Sequence, residues 1–458
     1  MKLDSKKINR IKIRAGYILV IFLIIIIIAV SLSCNITDKR ESVVNDTAET
    51  GGAEAGEEIQ DQSSADIIEI NIWDSSDPKV QIALLDSIEK FLSLTPGLAI
   101  NTRHFRSEEE LLDQFEAASL AGSGPEILIS RLESSNRLAK SKTIKQLTGY
   151  FDYSSILDGL KEISFFSGVN YVVPFRAYNF LMLYYNKEFI TDIPVNFNEL
   201  LKYCNDVKQL NDDNYGFLLN AKEPDWIIPF VGGYQDWIYD YSTGAISLKS
   251  EAMKKTLEFL DKIYSQEKIL PYDMGYEEIN NAFKAGNAHM IINGNWAVDE
   301  YREGGINFGV ARIPIVLGGY KNPTPMLDGI GFMININCYG DEFIASRELI
   351  NYLMSDEIQA GWTSSTLTLP AIKGIEQKLI INNEDVWQAA MQQAGICRGK
   401  PPDEFLRAIR DAVRINLENV IKGNITIDEA VVKMQEDAVM LKSGSVTVED
   451  LTKEATES

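Results

Sequence analysis

The chain has 458 residues, of which 45% are hydrophobic and 24% charged, and its formal net charge is −22. This length favours two folded lobes or domains over a single core, and the composition is typical of a folded soluble protein. The strong acidity indicates a solubility-promoting surface and excludes nucleic acid as a partner, because phosphate binding needs clustered lysine and arginine.

The first 34 residues have the pattern of an export signal. A basic stretch, Met1 to Arg14, precedes the apolar run from Ala15 to Leu32, and Cys34 follows directly. In one interpretation the segment is cleaved and Cys34 becomes a lipidated N-terminus, as in bacterial lipoproteins. In the other, the apolar run of about 18 residues stays as an uncleaved membrane anchor. Both interpretations export the rest of the chain and tether it to a membrane.

Residues 35–66 predict a disordered acidic tether. The segment contains no aromatic residue and is rich in Glu, Asp, Gly, Ser and Ala. Such a composition cannot bury a core, and its like charges repel one another.

The folded body begins at Ile67 with segments that alternate between strand and helix patterns. "IIEINIW" and "LAINTRHF" read as strands, "PEILIS" as a third, and amphipathic helical stretches separate them. This order predicts an α/β fold with a largely parallel sheet. Ligands of such sheets bind outside the carboxyl ends of the strands, so Asp77 and Ser130 are candidate binding residues by position.

Several kinds of chemistry find no support in the residues. Only His104 and His289 are present, which argues against a histidine triad or a multi-histidine metal site. With Cys34 set aside, Cys204, Cys338 and Cys397 are too few and too widely spaced for a disulfide framework and are predicted to be buried. No glycine-rich phosphate loop occurs. We therefore predict no catalytic residue, metal or cofactor.

Six segments, in order along the chain, resemble the extracellular solute-binding proteins of ABC importers, in the maltose- and oligosaccharide-binding branch. They are "AGSGPEILI", "VPFRAYNFLMLYYNKEFI", "FKAGNAHMIINGNWA", "FGVARIPI", "ELINYLMSDEIQAGW" and "NVIKGNITIDEAVVKMQ". The resemblance covers Ile67 to Ala438. It implies a two-lobe, periplasmic-binding-protein-like α/β fold whose lobes close on a ligand by hinge bending.

The resemblance also implies lobes that are discontinuous in sequence. The N-lobe would comprise residues 67–174 and 330–395, and the C-lobe residues 177–326 and 400–458. The chain would cross between them near residues 174–176, 325–329 and 395–402.

A sugar-binding cleft needs flat apolar plates for ring faces and planar polar side chains for hydroxyls. Trp296, in the family's "NGxWA" motif, is the first candidate plate, with a core tryptophan as the alternative. In the loop before the next helix, Glu223 matches the family's acid and Asp225 stands where an aromatic is expected. Trp226, beside it, is either a replacement plate or a core anchor.

The remaining candidates surround these residues. Asp328 at the second crossing faces either the ligand or solvent, and Arg176 either contacts ligand or forms a hinge salt bridge. The other candidates are Asn295 beside the plate, Asn179 at the first crossing and Tyr234 after the Gly-Gly turn.

Two positions that are aromatic in maltodextrin binders are not aromatic here. Ser130 replaces one and Leu406 the other. The loss of these plates favours a shorter or differently shaped sugar over long maltodextrins.

The resemblance implies a monomeric, membrane-tethered receptor outside the cytoplasm. It would bind a sugar or short oligosaccharide and deliver it to the permease subunits of an ABC importer, without chemistry on the ligand. One alternative is a receptor of the same fold for a polyamine, a glycerophosphate or other sugar phosphate, or a metal chelate. Another is a receptor that feeds a sensor. A third is an exported glycoside-active enzyme using Glu223 and Asp328 as its carboxylate pair.

Overall fold

The computed structural model describes residues 67–166, 168–210, 214–366, 368–379 and 385–457. The predicted export signal with Cys34 and the acidic tether lie outside the described residues. No helix within the described ranges combines the length and apolar character that a membrane crossing requires.

The strands are, in chain order, β1 (Ile68–Asp74), β2 (Leu98–His104), β3 (Ile127–Arg131), β4 (Phe165–Phe166), β5 (Val169–Asn170), β6 (Val173–Tyr178), β7 (Leu181–Asn186), β8 (Tyr239–Asp240), β9 (Ala245–Ile246), β10 (Met290–Gly294), β11 (Phe308–Ala311), β12 (Met326–Ile334), β13 (Leu369–Pro370) and β14 (Arg398–Gly399).

The helices are α1 (Pro78–Leu94), α2 (Glu108–Leu120), α3 (Ser134–Lys140), α4 (Asp158–Ser164), α5 (Phe197–Leu210), α6 (Pro224–Gly233), α7 (Glu251–Asp261), α8 (Tyr276–Lys284), α9 (Ala297–Glu303), α10 (Gly340–Leu353), α11 (Asp356–Thr366), α12 (Asp385–Ala394), α13 (Asp403–Ile421), α14 (Ile427–Ser443) and α15 (Val448–Glu457). A π-helical turn, Lys262–Gln266, extends α7, and a 3₁₀ turn spans Glu376–Leu379.

A large sheet has the strand order β13-β6-β12-β3-β1-β2, with β14 paired to β12. The predicted parallel pairing holds where β1 pairs with β2 and with β3. It holds also where β12 pairs with β14, but it is wrong for β12 with β3 and β6 and for β6 with β13, which are antiparallel. The second, small sheet has the order β10-β7-β11 and is antiparallel throughout.

The chain passes from the large sheet to the small sheet between β6 and β7. β6 pairs with β12 as far as Tyr178, and β7 starts in the small sheet at Leu181. Asn179, in between, has a left-handed backbone with φ of 60°. The change of sheet thus comes a few residues after the predicted crossing at 174–176. The lobe boundaries themselves stay predictions.

Apolar clusters support each sheet and also connect the two. The large sheet packs on α1, α10 and α11 through residues such as Ile70, Leu84, Phe175, Phe332 and Trp362. The small sheet, with the helices around it, buries a second set that includes Leu183, Phe197, Met253, Leu406 and Val413. A third cluster takes residues from both sheets, among them Leu128, Met182, Tyr184, Val310 and Trp387.

Two tryptophans and three cysteines are among the buried residues. Trp362 is buried in the cluster under the large sheet, where its Nε1 donates to Ser87 Oγ at 2.8 Å. Cys204, Cys338 and Cys397 are buried and unpaired, as predicted. Trp387 is buried on α12, and this helix packs against β11 of the small sheet although residues 330–395 are predicted to lie in the N-lobe.

Candidate ligand-binding cleft

A cleft of about 640 Å³ opens where the carboxyl ends of β1 and β3 face the turn after β10. Both sheets therefore contribute to its walls. Six of the predicted site residues line it, namely Asp77, Ser130, Asn179, Asn295, Trp296 and Asp328.

Trp296 is presented by the end of a buried strand. All five residues of β10 are buried, whereas Trp296, two residues later, is 46% exposed. Its indole lies against Gly294, where an added Cβ would come within about 2.1 Å of the ring carbons. Its Nε1 donates to Tyr276 Oη at 3.0 Å, and the ring meets Trp226 edge to face at 6.3 Å. The indole is thereby held in place with almost half of its surface open.

Asn295 ties this turn to the link between the sheets. Its Oδ1 accepts hydrogen bonds from the backbone N–H groups of Asn179, at 2.8 Å, and Phe180, at 3.3 Å. The amide nitrogen of Asn295 has no partner within the part of the chain that the structure describes. The amide oxygen of Asn295 therefore holds the turn in place, and its amide nitrogen is available to a ligand hydroxyl.

Glu108, the first residue of α2, organises the opposite wall. Its carboxylate accepts hydrogen bonds from the hydroxyls of Ser75, at 2.7 Å, Ser130 and Ser134, and from the backbone N–H of Arg131 at 3.1 Å. The position at a helix N-terminus also favours a negative charge. Glu108 thus fixes the ends of β1 and β3 together. Sequence reasoning missed it, because an acid in a first helical turn is ordinary.

Lys400 is a second residue that sequence reasoning missed. Its Nζ lies 2.7 Å from Glu133, 2.9 Å from Asp403 and 3.6 Å from Asp328. Burial alone lowers the pKa of Lys400, but the carboxylates outweigh this and hold the pKa above its ordinary value. The ammonium group stays charged and binds residues from distant parts of the sequence.

Asp328 lines the cleft but is only 2% exposed. Burial raises the pKa of Asp328 to about 6; Lys400 opposes this shift and Glu133 adds to it. Its Oδ1 accepts from the backbone N–H of Gly329 at 2.7 Å. The pKa of this carboxyl group is therefore closer to neutrality than that of an exposed aspartate.

Charged side chains occupy the rim of the cleft. The Arg106 guanidinium lines the cleft and has no hydrogen-bond or ion-pair partner among the described residues. Arg131, with a half-exposed side chain, has Glu133 at 3.8 Å. Asp77 is exposed ahead of α1, and its side chain does not cap that helix. These side chains can donate to or accept from a polar ligand.

Arg176 was expected either to contact ligand or to form a hinge salt bridge, and the structure places it in neither position. Its side chain is fully buried on β6. Nε donates to Thr368 Oγ1, one terminal nitrogen to the carbonyl of Gln359 and the other to Thr363 Oγ1, each at 2.9 Å. Arg176 is thus a structural residue behind the cleft wall.

Tyr234 and Glu223 also lie outside the cleft lining. Tyr234 Oη donates to the carbonyl of Leu317 at 2.8 Å. Glu223 precedes α6 and faces Arg414 at 3.4 Å. Because Glu223 and Asp328 do not share the cleft, the carboxylate pair of the enzyme alternative is not assembled there.

Asp225 and Trp226 line a small neighbouring pocket of about 30 Å³. Asp225 forms a two-pronged ion pair with Arg410 at 2.6 and 2.5 Å. Trp226 is 8% exposed, and its Nε1 donates to the carbonyl of Ile292 at 2.8 Å. It therefore serves as a core anchor behind Trp296. Leu406 is fully buried, so its position offers no plate in this fold.

Metal chemistry finds no site in the described ranges. No three His, Cys, Asp or Glu side chains converge there in a way that could hold a metal ion.

Comparison with known proteins gives consistent matches. Residues 86–393 match the family model of bacterial extracellular solute-binding proteins. The chain is 24% identical to a maltotriose-binding protein of Pyrococcus abyssi over 56% of this chain and 55% of that relative. It is 22% identical to a galactooligosaccharide-binding protein of Bacillus subtilis, over 69% and 77% of the two chains.

A solved structure matches along most of the chain. The maltose/maltodextrin-binding domain of Bdellovibrio bacteriovorus bound to maltotriose is 27% identical, with a TM-score of 0.56 over 81% of this chain and 99% of that one. The likeness confirms the predicted two-lobe, periplasmic-binding-protein-like α/β fold.

Proposed function

Because this chain belongs to the bacterial extracellular solute-binding protein family, we propose that it is a receptor for a sugar or short oligosaccharide. It acts outside the cytoplasm and delivers its ligand to the permease subunits of an ABC importer. The half-exposed indole of Trp296 above a polar cleft is the observation that carries the proposal. The named ligands of the relatives are saccharides, which supports it.

The chemistry of the cleft suits binding without reaction. A sugar ring stacks its C–H face on the Trp296 indole, and its hydroxyls meet planar polar groups such as the amide of Asn295. Arg106 and Arg131 donate, whereas Asp328 and Asp77 accept. The family assignment supports a binding protein rather than an enzyme.

A ligand panel tests this function. Maltose, maltotriose, galactooligosaccharides, putrescine and glycerol phosphate are each added to the purified protein in a thermal-shift assay. A true ligand at about 100 times its dissociation constant stabilises the protein by about 2.7 kcal/mol. A shift with a saccharide is expected. A shift with putrescine or glycerol phosphate alone would instead assign the cleft to another polar solute.

In this proposal the protein is a monomer whose two lobes close on the ligand. One lobe comprises residues 67–174 and 330–395, and the other comprises residues 177–326 and 400–458. We place the first crossing between them at Asn179 instead of residues 174–176, because strand pairing changes sheets there. Strands β12 and β14, which pair at Met326 and Leu327, start beside the other two crossings.

The protein is tethered to the membrane through a lipid on Cys34. The basic and apolar segments ahead of this cysteine support the assignment. Cells that express the protein with Cys34→Ala are expected to lose incorporation of radioactive fatty acid into it, whereas Cys204→Ala retains it. Equal labelling of the wild-type protein and of both variants would show that Cys34 carries no lipid.

Ligand affinity is expected to fall as the pH drops below about 6, because protonation removes a hydroxyl acceptor from Asp328. The free energy of unfolding is expected to depend on pH in the opposite direction. The pKa of Asp328 is higher than its ordinary value of 3.8, so the neutral form is favoured in the folded state and this contribution to stability is lost as the pH rises from 3.8 to about 6.

Titration calorimetry from pH 5 to 8 measures this effect in the protein and in Asp328→Asn. The variant cannot titrate at this position, so its affinity profile is expected to be flatter below about pH 6. Parallel profiles for the two proteins would show that Asp328 does not accept from the ligand.

A further inference from the structure

The cleft narrows abruptly on one side of Trp296. Asn179, Trp296 and Lys400 line both the main cleft and the small pocket next to it. The volume falls from about 640 Å³ to about 30 Å³ between them. The small pocket has room for a water or two but not for a sugar ring.

An ion pair forms the far side of this small pocket. The carboxylate of Asp225, in the first turn of α6, accepts hydrogen bonds from both Nε and Nη2 of Arg410, on α13. About one third of each side chain is exposed, 35% for Arg410 and 32% for Asp225. The planar, two-pronged geometry fixes both groups relative to each other. They stand as a rigid polar barrier beside the indole.

The barrier occupies the place where a second plate is expected. Asp225 stands where the family resemblance implies an aromatic residue, and Leu406, one turn before Arg410, is buried in the core. No aromatic ring other than those of Trp226 and Trp296 lines the small pocket. A saccharide that extends past Trp296 would therefore meet charge instead of an apolar face.

We propose that the Asp225–Arg410 pair closes this end of the cleft and makes the protein selective for short saccharides, whose terminal ring stacks on Trp296. This inference rests on the proposed function. A further ring could enter only by separating the pair and leaving two charges desolvated without partners. The outer edges of the pair instead hydrogen-bond the hydroxyls of the terminal ring.

A ladder of saccharide lengths tests the closure by titration calorimetry. The probes are maltose, maltotriose and maltohexaose, and galactooligosaccharides of matching lengths. The wild-type protein is expected to bind a tri- or disaccharide at least about tenfold more tightly than the hexasaccharide, a ratio that corresponds to about 1.4 kcal/mol. Asp225→Ala combined with Arg410→Ala is expected to bring the two affinities within about threefold of each other.

The control pair lies on the same helix, outside the cleft. Arg414 and Asp411 of α13 are 2.9 Å apart, and neither lines the cleft or the small pocket. Asp411→Ala with Arg414→Ala is expected to keep the wild-type length preference. Arg410→Ala alone provides a milder variant, expected to shift the preference in the same direction as the double change.

The outcomes separate the inference from the function. Tight wild-type binding of the hexasaccharide, or an unchanged length preference after removal of the pair, overturns the closure and leaves the sugar receptor intact. Absence of binding to every saccharide in both ladders overturns the proposed function, and the closure with it.

Discussion

Replacing Trp296 with alanine is expected to lower ligand affinity by about 30- to 100-fold, because a stacked aromatic at the centre of a binding site contributes about 2 to 3 kcal/mol. The thermal midpoint should change little, since the side chain is 46% exposed and contributes little to the core. Titration calorimetry with the best saccharide from the ligand panel measures the first quantity, and a melting curve without ligand measures the second.

Three further variants show whether the indole acts as a plate. Trp296→Phe keeps a flat ring and should recover part of the affinity. Gly294→Ala leaves the tryptophan in the sequence but places a Cβ in the space of its ring, so it should lower affinity by displacing the indole. Tyr320→Ala removes an 87% exposed aromatic outside the cleft lining and should have no effect. If Trp296→Ala binds as tightly as Tyr320→Ala, the indole is not the plate.

The position of Trp296 after a buried strand was predictable because the relevant information is local, whereas its role as a plate comes from the family resemblance and stays a prediction. An apolar run ending in Asn-Gly-Asn predicts a buried strand followed by a turn, and a tryptophan after such a turn lies at a sheet edge. The structure has this arrangement, with all of β10 buried and the indole half open. Asn295 lies near the plate for the same local reason, whereas Asn179 comes from a connection 116 residues earlier in the chain and meets the plate only through the fold.

Glu108 and Lys400 were not predictable, because their importance depends on contacts between distant segments. Glu108 binds the hydroxyls of Ser75, just after β1, and Ser130, near the end of β3. The ammonium group of Lys400 forms ion pairs with the carboxylates at positions 133, 328 and 403. A single sequence shows an ordinary helix-start acid and an ordinary lysine, and only the fold shows that both order the cleft.

Burial explains the predictions that failed. β6 lies inside the large sheet between β12 and β13, and its first five residues are buried. A strand covered on both faces buries its side chains, so Arg176 does not reach the cleft, whereas Tyr178, at the end of the strand two residues later, lines it. Leu406, where a lost plate was predicted, is turned into the core by the packing of α13. The antiparallel direction of β12 also could not be predicted. The chain re-enters the large sheet at β12 long after β3, and the alternation of side chains along a strand does not indicate its direction.

Arg176→Met is expected to destabilise the protein by about 3 kcal/mol or more, because it removes every donor of a buried guanidinium while keeping similar volume. The side chain is fully buried, and burial lowers the pKa of Arg176 to about 9, which still leaves it charged at neutral pH. Its bonds to Thr363 and the carbonyl of Gln359 join β6 to α11, and its bond to Thr368 joins β6 to the segment just before β13. Without them, buried acceptors lose their partners.

Urea denaturation measures this loss, with Arg347→Met as the matched control. Arg347 is partly exposed and donates one hydrogen bond to the carbonyl of Tyr150 at 3.1 Å, so its loss should cost about 1 kcal/mol or less. Arg176→Lys should remain strongly destabilised, since an ammonium cannot reproduce the planar fork. Because Thr368 lines the cleft, ligand affinity should fall together with stability. Equal free energies of unfolding for the Arg176 and Arg347 variants would show that the buried guanidinium is not what holds this wall in place.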